Sequence, residues 1–217
     1  MFNRFLDYLE RRYGRYNGIH NLMTLIVAGM AIVYVADMLL PSLMGMSMSG
    51  LLMFNKAAIF RGQIWRTITF VFIPPNSSMF FIVFSLLFYW SLGNMLQTEW
   101  GTLRFNVFYI VGMIGTVIAG TITGYATSYY LNMSLFLACA LLYPNRELNL
   151  YGFLRLRMKW LALVDIVLIL MSAVSAGWPE RIAMFVSLLN VILFFYGNLV
   201  DLLRNSYRRY QWKKNWR

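Results

Sequence analysis

Long uncharged runs separated by short charged segments constrain this chain more than any other feature. From Leu22 onward an apolar stretch of helical length recurs six times, and the Lys, Arg, Asp and Glu residues crowd between the runs. A hydrocarbon core about 30 Å thick is crossed by roughly 20 apolar helical residues, because a helix satisfies its own backbone polar groups there. Only 12% of the 217 residues are charged, against roughly 25% in a soluble domain. So little polar surface excludes a soluble globule. The pattern predicts an all-α, polytopic membrane protein with spans at Leu22–Leu40, Met79–Leu96, Phe105–Gly124, Ser128–Tyr143, Trp160–Gly177 and Ile182–Leu199. The fourth is short, and is expected to be shielded by its neighbours or to cross where the bilayer thins.

Basic residues set the expected orientation. With both termini cytoplasmic, the inner segments hold Arg4, Arg11, Arg12 and Arg15, then Arg104, then Arg146, Arg155, Arg157 and Lys159. The tail adds Arg204, Arg208, Arg209, Lys213, Lys214 and Arg217. That places fifteen of the 19 Lys and Arg inside and leaves Lys56, Arg61, Arg66 and Arg181 outside, as the positive-inside bias requires. A multi-pass protein of the plasma membrane follows. The same asymmetry accounts for the net charge of +11, so the lipid bilayer is the expected partner and no nucleic acid is needed. One cysteine, Cys139, permits no internal disulfide, and one histidine, His20, precedes the first span. Neither a metal site nor another cofactor is expected. The N-terminal segment lacks the small-residue cleavage site of a secretory signal.

The chain divides into a basic amphipathic segment (1–20), a six-helix membrane domain (21–200) and a basic aromatic tail (201–217). Phe2, Phe5, Leu6, Leu9 and Tyr13 fall near one helical face, predicting a helix on the inner membrane surface. In the tail, Tyr207, Tyr210, Trp212 and Trp216 alternate with the basic residues, which reads as interfacial anchoring, with RNA contact or disorder as alternatives. The stretch from Gly45 to Ser78 is a long outer loop rich in Met, Phe, Ile and Trp. A loop of that length is usually functional, and one this apolar is expected to dip into the outer leaflet. Pro74-Pro75-Asn76-Ser77 closes it, with Asn and Ser suited to the cap of the second span.

Gly112, Thr116, Gly120 and Gly124 recur at four-residue spacing in the third span, beside Gly115 and Ala119. Such a stripe lets two helix backbones approach closely, within the bundle or, alternatively, in a homo-oligomer. Asp37 and Asp165 are the acids inside spans, where an acid is a functional candidate by default. Asp165 lies one to two turns from Lys159 and reads as a solvated or paired carboxylate. Ser134 and Asn190 sit about 10 Å down from the outer face, at 1.5 Å per residue. A serine nucleophile needs a neighbouring base, and the amide of Asn190 is not one.

Gln63-Ile64-Trp65-Arg66, the stretch Gly93-Asn94-Met95-Leu96-Gln97-Thr98-Glu99-Trp100-Gly101 with Arg104-Phe105, and the Asn190 to Gly197 spacing resemble motifs of the rhomboid superfamily. These are six-helix intramembrane serine proteases and their inactive relatives. The resemblance spans Gly62 to about Gly197 and marks Trp65, Arg66, Gly93, Gln97, Gly101 and Gly197 as motif positions. The departures are concentrated where such a protease works. A Gly-x-Ser-Gly motif reads here Asn132-Met133-Ser134-Leu135, the catalytic His corresponds to Asn190, and the oxyanion donors of the second helix fall at Phe81 and Ser85. Gln97 stands where the family has Glu, with Glu99 close by. Tyr143-Pro144-Asn145 followed by Leu150-Tyr151-Gly152-Phe153 is similar to a loop of derlins, inactive relatives that handle membrane clients. The resemblance implies a catalytically degenerate rhomboid that binds transmembrane helices of client proteins and affects their folding, trafficking or degradation. The alternative is an active intramembrane serine protease using Ser134. A transporter or channel built on Asp37 and Asp165 lacks inverted repeats and a charged lining.

Overall fold

The computed structural model describes residues 2–15, 17–75, 78–124, 126–150 and 154–215; for 2–5, 43–44, 148–150, 154–156 and 197–215 the description covers the backbone alone. The Asn76-Ser77 cap, Tyr151-Gly152-Phe153, the side chains of Phe2 and Phe5, the surroundings of Gly197 and the aromatic side chains of the tail therefore lie outside the described residues.

The apolar runs fold as helices. An N-terminal helix α1 (Phe2–Tyr13) precedes α2 (Leu22–Met44), and three short helices follow: α3 (Met48–Leu52), α4 (Lys56–Phe60) and α5 (Arg66–Thr69) with a 3-10 turn at Phe70–Phe72. Then come α6 (Met79–Trp100), α7 (Thr102–Thr123), α8 (Ser128–Leu142), strands β1 (Glu147–Leu150) and β2 (Leu154–Arg157), α9 (Met158–Ser175) and α10 (Trp178–Asn215). Five segments are long and apolar enough to cross a membrane: Leu22–Ser42, Met79–Trp100, Thr102–Thr123, Met158–Ser175 and Trp178–Tyr196. The chain is a polytopic helical membrane protein.

The sixth apolar helix, α8, has 15 residues, about 22 Å at 1.5 Å per residue. Leu131, Leu135, Leu137, Ala138, Cys139 and Ala140 are all buried against neighbouring helices, while Tyr129 and Leu141 are exposed. α7 packs most extensively against α10, and the small residues of α7 explain how. A β-carbon on Gly115 would sit 2.8 Å from Val186 Cγ1, and one on Gly120 2.9 Å from Phe54 Cε1. The stripe is thus packed inside the bundle at Gly112, Gly115 and Gly120, whereas nothing among the described residues stands beside Gly124. Gly93 serves likewise on α6, where Met23 of α2 fills the space a side chain would need.

Gly101 joins α6 to α7 in a single residue at φ +84, a conformation that suits glycine. A β-carbon there would also lie 2.9 Å from the Arg15 carbonyl oxygen. That carbonyl accepts from the Leu103 amide at 3.2 Å, and the Arg15 guanidinium donates to the Glu99 carbonyl. The N-terminal segment is fastened to this turn. Arg104 pairs with Asp7 at 2.5 Å and with Glu10 at 2.7 Å, while Leu6 is 2% exposed. At Leu6 the apolar face of α1 turns toward α7 and α10, and ion pairs on its polar flank hold it against the bundle.

The 45–78 stretch folds at the opposite end. Asp37 accepts from the Ser49 amide at 3.0 Å and from its hydroxyl, beside the Ser47 cap of α3, so it is not a free acid in the span. Phe54 and Phe70 meet edge-to-face with centroids 6.5 Å apart, and Phe72 fills the space beside Gly29 of α2. The other side of the stretch exposes Phe60, Ile64, Trp65 and Ile68. Between α8 and α9 a short antiparallel hairpin pairs Glu147 with Arg157 and Leu150 with Leu154, the one strand pair among the described residues.

Candidate functional site

The expected site residues fall in three places. Trp65 and Arg66 lie among the short helices, Gly93, Gln97 and Gly101 near the α6–α7 turn, and Ser134 and Asn190 in the middle of the bundle. Trp65 is exposed, whereas Arg66 is buried. The Arg66 guanidinium donates to the carbonyls of Gly50 and Met53 at 2.9 and 2.8 Å and to Gln63 Oε1 at 2.6 Å. Five donors in a planar fork suit that task; the arginine holds the loop helices together. Gln97 donates at 3.3 Å to Thr102 Oγ1 across the turn.

Ser134 has no exposed surface. It lies in the second turn of α8, and its hydroxyl donates at 2.7 Å to the Leu131 carbonyl of the same helix. Asn190, on α10, donates through Nδ2 to the Phe108 carbonyl of α7 at 3.4 Å, and its Oδ1 is buried without a partner. The two residues share a neighbourhood through Gly112, where a β-carbon would stand 2.5 Å from Leu131 Cδ1 and 2.7 Å from Asn190 Nδ2. No hydrogen bond joins them. Ser85 donates its hydroxyl back to the Phe81 carbonyl at 2.9 Å, and Phe81 is exposed on α6. The Ser134 hydroxyl proton is thus held by the backbone of its own helix, and an amide such as that of Asn190 is not a base.

A second constellation is open to the side. A cleft of about 310 Å³ lies between α6, α8 and α9. Phe84 and Phe88 of α6 stack at 6.2 Å, and Phe88 packs on Phe136 of α8 at 5.8 Å, forming an aromatic wall. Tyr89, Tyr129, Asn132 and Asp165 supply the polar groups of the lining. Val164 and Leu168 line it too and are exposed. Asn132 Oδ1 and Asp165 Oδ2 are buried with no hydrogen-bond partner. Asp165 is not paired with Lys159, contrary to one expectation: the Lys159 ammonium lies over the Trp160 ring, 5.8 Å from its centroid. Six residues apart on a helix, the two point about 120° away from each other.

The sequence singled out Asp165 but missed the cleft. Its signal was present as two stripes at helical spacing, Tyr129, Asn132, Met133 and Phe136 on α8 and Leu161, Val164, Asp165 and Leu168 on α9. Only the fold shows that the stripes face one another. A smaller cleft of about 270 Å³, lined by Ser91, Asn94, Thr98, Tyr143 and Arg146, lies at the end of the bundle that carries α1. There the Tyr143 hydroxyl donates to Glu99 Oε2 at 2.6 Å, and this hydrogen bond, more than burial, pushes the phenol above its ordinary pKa. Among the described residues no group of His, Cys, Asp and Glu could hold a metal ion.

Comparison of the chain with models of known protein families and with curated protein sequences found no match.

Proposed function

We propose that the protein is a six-span, rhomboid-like pseudoprotease that binds membrane-spanning helices of other proteins without cleaving them, and so affects their folding, trafficking or degradation. The observation that carries this reading is the lateral cleft between α6, α8 and α9, apolar in most of its lining and edged by exposed Val164 and Leu168. Such side chains, already facing lipid, favour a partner that lies in the same hydrocarbon. α8 would be the short fourth span, shielded by its neighbours. The basic residues around α1 and along the end of α10 favour a plasma-membrane protein with both termini cytoplasmic. The exposed Phe60, Ile64, Trp65 and Ile68 would rest in the outer leaflet.

The non-catalytic half of the reading draws support from Ser134, whose hydroxyl is bonded to Leu131 with no base beside it. A serine-reactive fluorophosphonate tests it: neither the wild-type protein nor Ser134→Ala should take the label, and labelling that depends on Ser134 would establish a hydrolase. For binding, a photocrosslinker at Val164 or Leu168 should form an adduct with an apolar single-span peptide in proteoliposomes. The same group at Ile32, exposed on α2, should not. Equal yields at all three positions would remove the cleft from the account.

A further inference from the structure

We infer that Asp165 and Asn132 make this cleft selective for membrane-spanning helices that carry a basic side chain. The inference rests on the helix-binding reading above and names which helices are preferred. Asn132 is 2% exposed and Asp165 half-buried, and each presents to the cleft an oxygen with no hydrogen-bond partner. A carboxylate and an amide carbonyl accept hydrogen bonds and do not donate them. Lipid tails offer no donor. Within the bundle the phenolic hydroxyls of Tyr89 and Tyr129 share the lining, but no Lys or Arg does: the ion pairs among the described residues involve Arg104 and Arg157, not Asp165, and Lys159 is directed over Trp160. A Lys or Arg of an incoming helix brings several donors together with the charge opposite to that of Asp165.

The cleft is open along the edge that the exposed Val164 and Leu168 form. A client helix leans on the edge at Val164 and Leu168, and one long side chain reaches inward between the aromatic wall and α9. Asp165 is the eighth residue of α9, about 10 Å along the helix from its start. The preferred client therefore carries its basic residue about two turns from the membrane boundary on that side. A long basic side chain is suited to such a position, since its apolar stem lies along Phe88 and Leu161 while its head meets the oxygens.

The experiment uses the full chain in phosphatidylcholine nanodiscs, which contain no lipid amine to compete. Two fluorescent single-span Leu/Ala peptides differ at one position two turns from the boundary, Lys in one and Leu in the other, and energy transfer reports their binding. The Lys peptide should bind about tenfold more tightly, the ratio expected of one charge-assisted hydrogen bond. In Asp165→Asn that preference should shrink to within about twofold, and an unfolding midpoint close to that of the wild type shows that the variant is folded. Asp165→Lys should reverse the preference toward a peptide with Asp at the same position. Equal affinity of the wild type for the Lys and Leu peptides, or a preference that survives Asp165→Asn, overturns the inference and leaves helix binding standing. If neither peptide binds, the helix-binding reading falls and takes the inference with it.

Discussion

Asn190 donates its amide hydrogen to the carbonyl oxygen of Phe108, 3.4 Å away across the α7–α10 contact. The bond is long, and the other end of the amide, Oδ1, is buried without a partner. A buried acceptor left unmade costs about 1–3 kcal/mol, and the Phe108 carbonyl that would lose Asn190 lies inside α7, where the helix ladder supplies its partner. Asn190→Leu is therefore expected to leave the thermal unfolding midpoint in detergent unchanged or to raise it. A marked fall would show that the amide has a partner whose loss the bundle cannot absorb.

Gly112 gives the opposite expectation. A methyl group there meets Leu131 Cδ1 at 2.5 Å and Asn190 Nδ2 at 2.7 Å, so the ends of these two buried side chains must shift within a packed bundle. Overpacking of that kind typically costs about 1–3 kcal/mol. Gly112→Ala should lower the midpoint by several degrees, at roughly 2–4 °C per kcal/mol for a chain of this size. Ser134→Ala, which removes only a hydroxyl bonded within its own helix, should shift it far less. Thermal denaturation of the two purified variants side by side checks the contrast.

Arg66 ties together the short helices at the other end. Its removal strands the carbonyls of Gly50 and Met53 and the side chain of Gln63, and hydrogen bonds to a charged group contribute about 1.5–3 kcal/mol each. Arg66→Ala should speed proteolytic cutting between α3 and α5 many-fold while α6 to α9 stay resistant. Arg66→Lys should protect only in part, because an ammonium cannot span the same acceptors as a planar fork. Mass spectrometry of the fragments locates the cuts.

The helices were legible because hydrocarbon leaves one solution for an apolar run: α2, α6 and α8 begin at Leu22, Met79 and Ser128 as the runs do. α10 was read too short. Polar residues after Leu199 mark the end of the apolar run, not of the helix, and nothing there breaks the backbone before Asn215. The hairpin was overlooked although Leu154-Arg155-Leu156-Arg157 alternates with a period of two. The site was harder to read. Ser134, Asn190 and Asp165 announce themselves as polar residues in apolar runs, but whether a hydroxyl meets a neighbour or its own Leu131 carbonyl depends on rotation about the helix axis and on packing. Sequence spacing supplies neither. The same holds for Lys159 and Asp165, close in sequence and directed apart by the helix.

Tyr143 carries a pH dependence whose sign follows from its bond to Glu99. The neutral phenol donates to Glu99 Oε2; the phenolate cannot donate and would face the carboxylate. The folded state therefore favours the protonated form and raises the pKa above that of the unfolded chain, which lies near about 10. A raised pKa of this kind contributes stability that is fully present below about pH 10 and is lost as the pH rises through the folded value. Unfolding midpoints measured across that alkaline window should fall more steeply for the wild type than for Tyr143→Phe. The alkaline phenolate absorbance of the wild type should exceed that of Tyr143→Phe by one late-titrating component. If Glu99→Gln leaves the late component in place, the hydrogen bond is not its cause.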